Sequence, residues 1–234
     1  MEDYDFDVAV IGGGSAGYAT ARTTAAAGKR TVIIEAGGEL GGLCILRGCM
    51  PTKALLHAAD VRHQARRSSI WGLKPGEVSF DFAEVMRRKA SMVEEFASYR
   101  RGQLQDGRFE LIRALARFRD PHTLELDNGK AVTAEHIMIS TGSRVAELPL
   151  PGLAKLGCIT SDDALRLESL PQSIIVLGGG AVAIEFTQFF ARFDVEVTLL
   201  QRSPHILKAF DDDVAGEVEA AFREEGITVH TGCS

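Results

Sequence analysis

The chain has 234 residues, 45% hydrophobic and 25% charged, an ordinary soluble composition long enough for two domains. A formal charge of −6 argues against a general nucleic-acid binder, and no apolar run approaches the ~20 residues that a membrane span requires. Four cysteines without a regular framework argue against a secreted disulfide scaffold, and the acidic start "MEDYDFDVAVIGGG" enters a strand at once with no signal peptide, so the cytoplasm is the expected compartment.

In chain order, "DFDVAVIGGGSAGYATARTTAAAGKRTVIIEAG" reads strand, Gly-rich turn, helix, turn, strand. Val8 to Ile11 is a short apolar run of the kind found in a buried parallel strand. The Ala-rich stretch from Ala16 to Ala27 suits a helix with Gly28 at its C-terminal end, and Thr31 to Ile34 is a second buried strand, followed by Glu35. Together they make a βαβ unit. The segment after Lys53 is read as helical, and another helix is expected from Asp81, which has capping-box spacing to Glu84 and precedes an apolar stripe of Phe82, Val85, Met86, Val93 and Phe96. The runs "RALARFRD", "TLELDNGK" and "AVTAEHIMIST" alternate as strands do, with a hairpin turn at Asn128-Gly129. "ELPLPG" reads as a linker.

At Ser173 the opening pattern returns in "SIIVLGGGAVAIEFTQFFARFDVEVTLLQR", and "GITVHTGCS" supplies an expected third strand. A doubly wound domain normally continues beyond that point, so the chain is expected to be part of a longer protein. The expected fold class is α/β, with two Rossmann-like dinucleotide-binding units and an inserted β meander. Residues 1–150 and 151–234 would form the N-terminal parts of two domains.

Gly12, Gly14 and Gly17 form G-x-G-x-x-G around Ser15 and Ala16. In that pattern the first glycine makes a tight turn, the second lets backbone approach a pyrophosphate, and the third lets helix and strand pack closely. The helix N-terminus then offers free N–H groups to phosphate, and Glu35, followed by Ala36, stands where an acid can accept from ribose hydroxyls. The second copy is Gly178, Gly180 and Ala183, with Ala181 and Val182 between. Here Gln201 replaces the acid, and Arg202 and Lys208 lie close by in sequence. That combination favours the 2′-phosphate of NADP over the free hydroxyl of NAD.

"GGLCILRGCMPTK" holds Cys44 and Cys49. Three readings compete: a structural disulfide, half of a metal site, or a redox-active thiol pair. Five residues of regular helix advance about 7.5 Å, whereas a disulfide wants Cα atoms within ~6.8 Å, so a bridge requires the backbone to bend, with Gly48 available for it. Pro51 suits a first helical turn, which would place Cys49 at a helix start with Lys53 nearby, and both features favour thiolate. No Cys/His cluster has metal-ligand spacing. The residues favour the redox pair.

The motif "GGLCILRGCMPTK", together with "DVAVIGGGSAG", "ISTGS" and "VLGGGAVAIE", resembles the class I pyridine nucleotide-disulfide oxidoreductases, the family of dihydrolipoamide dehydrogenase, glutathione reductase and mercuric reductase. The resemblance implies FAD at the first dinucleotide site and NAD(P)H at the second. It implies that Cys49 is the thiolate beside the flavin and Cys44 the interchange thiol, with Lys53 near the flavin and paired to Glu185. Gly42, Ala114, Thr141 and Gly142 would be further FAD contacts. Hydride would pass from NAD(P)H to FAD, then electrons to the Cys44–Cys49 disulfide, and on to a small disulfide, a dithiol or a thiol-reactive metal ion. The full-length protein would be a homodimer closed by a C-terminal interface domain carrying a His–Glu pair, which nothing in these 234 residues matches. Ala181, where glutathione reductases carry a tyrosine, and "ILRGCMPTK" in place of "LNVGCIPSK" weaken a glutathione assignment. Two rival readings are an idle nucleotide-binding fragment and a flavin electron-transfer protein with incidental cysteines.

Overall fold

Strands β1 (Phe6–Ile11) and β2 (Thr31–Ile34) are covered on both faces, which is why they read as unbroken apolar runs. Val8, Val10 and Ile33 pack on one face with Tyr18 and Ala21 of helix α1 (Ser15–Ala26). Ala9, Val32 and Ile34 pack on the other with Ala114, Leu124, Leu126, Val132 and Ala134. The computed structural model describes residues 3–233. Its contacts divide the chain into two units, Met1–Met50 with Ser91–Glu147, and Pro51–Ala90 with Leu148–Ser234.

The first unit is built on a six-stranded sheet that also contains β3 (Glu110–Ile112), β4 (Ala116–Asp120), β5 (Thr123–Leu126) and β6 (Ala131–Ile139), in the order β3-β2-β1-β6-β5-β4. β1, β2 and β3 run parallel, and β4, β5 and β6 form the antiparallel meander. β6 serves both halves: its first three residues pair with β5, and its later residues pair in parallel with β1 from Ala134 to Ile139. The turn before β6 closes with Leu126 N–H donating to Lys130 O at 2.9 Å, and Gly129 supplies the positive φ of +82° that this turn needs. The unit also holds the short helix α2 (Gly42–Leu46), the first residues of α3 (Cys49–Arg67) and the C-terminal part of α4 (Phe82–Leu104).

The second unit carries most of α3, the start of α4, the short α5 (Ser161–Ala164), and a three-stranded parallel sheet of β7 (Ser173–Leu177), β8 (Glu196–Leu200) and β9 (Thr228–His230). Helix α6 (Ala181–Arg192) crosses between β7 and β8, and α7 (Asp212–Glu224) between β8 and β9. Phe186, Phe189, Phe190 and Phe193 form an aromatic core with Leu55, Ala59 and Leu199. Burying each such ring contributes about 2 kcal/mol. The C-terminal end of α6 is held by cations, as its dipole favours: Arg62 donates to Arg192 O and to Asp194, and Arg66 donates to Asp194. Arg192 in turn binds Glu225 and Asp60. Among the described residues no helix is long and apolar enough to cross a membrane.

Candidate functional site

The first Gly-rich turn joins β1 to α1. A Cβ on Gly12 would lie 2.3 Å from Ser140 O, and one on Gly17 would lie 1.8 Å from Gly12 O, so backbone contact within the fold demands glycine at both places. Gly14 differs. A Cβ there would meet nothing closer than Gly42 Cα at 3.7 Å, so the space above it remains open to a ligand. Gly14 is also the N-cap of α1 and offers no side-chain acceptor to the first N–H groups of that helix. Open space beside unpaired N–H groups fits a pyrophosphate. Ser15 and Ala16 are exposed in the same turn. The Thr141–Gly142 segment follows Ser140, which lies directly against Gly12.

Glu35 does not stand free at the end of β2. Its carboxylate accepts from Gly13 N–H at 2.6 Å and from Gly37 N–H at 2.7 Å, tying the Gly-rich turn to the loop after β2. Lone pairs remain on both oxygens for ribose hydroxyls. Beside it lies a concavity of about 510 Å³ lined by Glu35, Ala36, Gly37, Gly38, Arg113, Ala114, Leu115 and Asp127. Arg113, which the sequence reading passed over, donates to the carbonyls of Gly37 and Gly38. Its only sequence signal is a position next to Ala114.

The cysteines sit on two helices separated by a break at Arg47 and Gly48: Cys44 in α2, Cys49 at the first residue of α3. The helix thus begins at the second cysteine, four residues ahead of Lys53. Gly48 has no positive φ; a Cβ there would lie 2.9 Å from Leu43 O, so the glycine permits close chain approach between the cysteines. Both are free thiols, their side chains within hydrogen-bonding reach of one another, and Cys44 also meets the Ser15 hydroxyl. Burial, then the hydrogen bond and charge of Cys49, push the Cys44 thiol up from its ordinary value, and Ser15 opposes them. α2 is seated on the Gly-rich turn: Gly42 has φ +74°, and a Cβ on it would lie 2.4 Å from Gly14 Cα. The thiol pair and the open space at Gly14 are therefore parts of one constellation.

In the second unit Lys53 and Glu185 form an ion pair between α3 and α6. The second Gly-rich turn repeats the first, with Gly178 at φ +108° and open space at Gly180, the N-cap of α6. Ala181 and Val182 are exposed at the helix start, and Ala183 is half-buried. Gln201 is buried just past β8, its Oε1 accepting from Arg202 N–H at 3.0 Å. The loop after it folds back over the turn: Ile206 is fully buried against Gly179, and Leu207 N–H donates to Gly179 O at 2.6 Å. Arg202 and Lys208 are exposed. Among the described residues no group of three or more His, Cys, Asp or Glu could hold a metal ion.

Residues 6–234 match the family model described as pyridine nucleotide-disulphide oxidoreductase. The chain is 33% identical to a mercuric reductase of Bacillus cereus over 99% of its own length and 37% of that protein. It is also 33% identical to a dihydrolipoyl dehydrogenase of Bacillus subtilis over 97% of its length and 50% of the relative. Among solved structures, the HOCl-induced flavoprotein disulfide reductase RclA from Escherichia coli superposes with a TM-score of 0.82 at 30% identity, covering 97% of this chain and 49% of that one. The chain thus spans half or less of the length of these relatives.

Proposed function

The chain belongs to the pyridine nucleotide-disulphide oxidoreductase family, and we propose that the protein is an FAD-dependent oxidoreductase carrying electrons from NADPH or NADH, with NADPH favoured, through the Cys44–Cys49 pair to a small disulfide, a dithiol or a thiol-reactive metal ion. The observation that carries this reading is the seating of the thiol pair on the phosphate-binding turn through the Gly42–Gly14 contact. FAD, held by Gly12, Gly14, Ser15, Ala16, Gly17, Glu35, Ala36, Gly42, Ala114, Thr141 and Gly142, would supply the centre that accepts hydride and passes on two electrons. Gly178, Gly180, Ala181, Val182 and Ala183 would hold the pyridine nucleotide. The buried, neutral Gln201 and the exposed Arg202 and Lys208 support NADPH.

The cysteines then do ordinary exchange chemistry. Two electrons and two protons open their disulfide to a dithiol. The Cys44 thiolate attacks a substrate disulfide, forming a mixed disulfide and releasing one thiol. Cys49 attacks the Cys44 sulfur, releases the second thiol and restores the bridge. Lys53 and Glu185 hold each other as a charged pair and would stand by the flavin. The cytoplasm, where thiols are kept reduced, suits this cycle.

The test is thiol accounting by alkylation and mass spectrometry. The oxidised chain, loaded with FAD and given NADPH without oxygen, is expected to gain label at both Cys44 and Cys49. Reduction of the flavin with both cysteines still bridged would reject disulfide chemistry and leave a flavin electron-transfer protein.

A further inference from the structure

The concavity beside Glu35 has a wall that no motif accounts for. Glu35 fixes one side of the Ala36–Gly38 segment by accepting from Gly37 N–H. Arg113 fixes the other by donating from one nitrogen to Gly37 O and, at 3.0 Å, to Gly38 O. Just past Arg113, Asp127 pins the opposite rim: its Oδ1 accepts from Leu115 N–H at 3.1 Å, and its own N–H donates to Leu115 O at 3.0 Å. Ala36–Gly38 belongs to no helix or strand, and Gly38 has open space where a Cβ would go. Both segment and arginine are exposed, so water could satisfy those carbonyls equally well, and a bond of this kind contributes little to stability. What the guanidinium determines is the position of the loop, and with it the width of the concavity.

We propose that Arg113 is a positioning residue for the adenosine half of the cofactor, holding Gly37 and Gly38 so that the concavity accepts an adenine-bearing nucleotide. This inference rests on the FAD reading above. The size of the concavity, about 510 Å³, suits a nucleoside, and its lining combines the ribose-binding acid with small residues and a guanidinium whose flat face can stack on a purine. Both contacts leave from one guanidinium nitrogen, so a lysine ammonium can supply part of them but not the flat face.

The experiment is calorimetric titration of the full chain and of Arg113→Ala and Arg113→Lys with FAD, ADP and FMN, with thermal melts run alongside. Arg113→Ala is expected to weaken FAD and ADP by roughly two- to five-fold, the scale of one exposed charged contact, while FMN binding and the melting temperature stay unchanged. Arg113→Lys should recover part of the loss. Equal ADP affinity in Arg113→Ala and the unsubstituted chain would overturn the role of Arg113 while leaving the FAD reading intact. Equal weakening of FMN and ADP would also overturn it, as a general loosening of the unit. If the unsubstituted chain binds neither FAD nor ADP, the FAD reading falls and this inference falls with it.

Discussion

Cys44 and Cys49 differ by placement more than by chemistry. Cys44 is half-buried in α2, next to a second thiol and the Ser15 hydroxyl, whereas Cys49 is exposed at the start of α3. Burial and Cys49 both raise the pKa of Cys44, so at neutral pH it remains a thiol until something removes its proton or its neighbour. Cys49→Ala removes the second of these influences and should bring the alkylation midpoint of Cys44 down. Ser15→Ala removes one of the two opposing influences, the other being a hydrogen bond with the Cys49 backbone, and should push it further up. Iodoacetamide labelling of Cys44 across pH 7–10 measures both, and a midpoint unmoved by Cys49→Ala would mean that the two thiols do not interact. At the other turn the same reasoning concerns Arg202. A hydrogen bond to a charged group contributes about 1.5–3 kcal/mol, so Arg202→Ala is expected to cut NADP⁺ binding by roughly ten- to hundred-fold and leave NAD⁺ binding unaffected. Equal loss of both nucleotides in titration would remove Arg202 from the phosphate site.

At the scale of elements, the Gly-rich turns explain how much could be read in advance. β1, α1 and β2 were legible because a covered strand is apolar throughout, a helix after G-x-G-x-x-G is Ala-rich, and Gly28 ends it at φ +77°. The hairpin at Asn128-Gly129, the helix after Asp81 and the second βαβ unit were legible for similar local reasons; Asp81 does accept from Glu84 N–H, at 3.1 Å. β3 was not. It is three residues long, and its place beside β2 is a tertiary pairing with no local pattern. The double duty of β6 was hidden likewise, since one alternating run pairs antiparallel at its start and parallel at its end. Arg113 was missed because its partners are carbonyls 75 and 76 residues away. Gly42 shows the reverse case, a motif residue whose reason is seen only in space. Gly42→Ala would place a methyl against Gly14 Cα and force a left-handed backbone on alanine, which alone costs about 1–2 kcal/mol. The expected outcome is displacement of α2, read as slower disulfide formation between Cys44 and Cys49 and weaker FAD binding in the same variant. Normal bridging kinetics in Gly42→Ala would show that α2 does not depend on the turn for its seat.

The whole molecule is acidic, and its charges are arranged so that lowering the pH acts on it in two stages. His63 lies on α3 with Glu225 at 4.0 Å and Arg67 at 3.5 Å, and Arg192, Asp60 and Glu225 all act on it through their charges. Burial first, then Arg192, hold its pKa below the ordinary 6.5. Between the two values the unfolded chain takes up a proton that the folded chain refuses, so stability falls as pH drops below 6.5, until the folded imidazole is protonated as well. The carboxylates titrate lower. Asp5, Asp163 and Asp194 sit below the ordinary 3.8, held by Thr133, Thr160 and Arg62 respectively, and Glu225, which burial alone would raise, is held below 4.5 by Arg192. Groups depressed in this way stabilise the fold above their unfolded values and lose that contribution as pH falls through the folded ones. Urea unfolding at steps from pH 8 to pH 3 should therefore show a small decline starting near 6.5 and a larger one beginning near 4.5. His63→Gln removes the titrating imidazole without removing hydrogen-bonding capacity, so it should abolish the upper decline and leave the lower one in place. Persistence of the upper decline in His63→Gln would assign it to another group and show that the α3–α6–α7 charge network does not sense pH through His63.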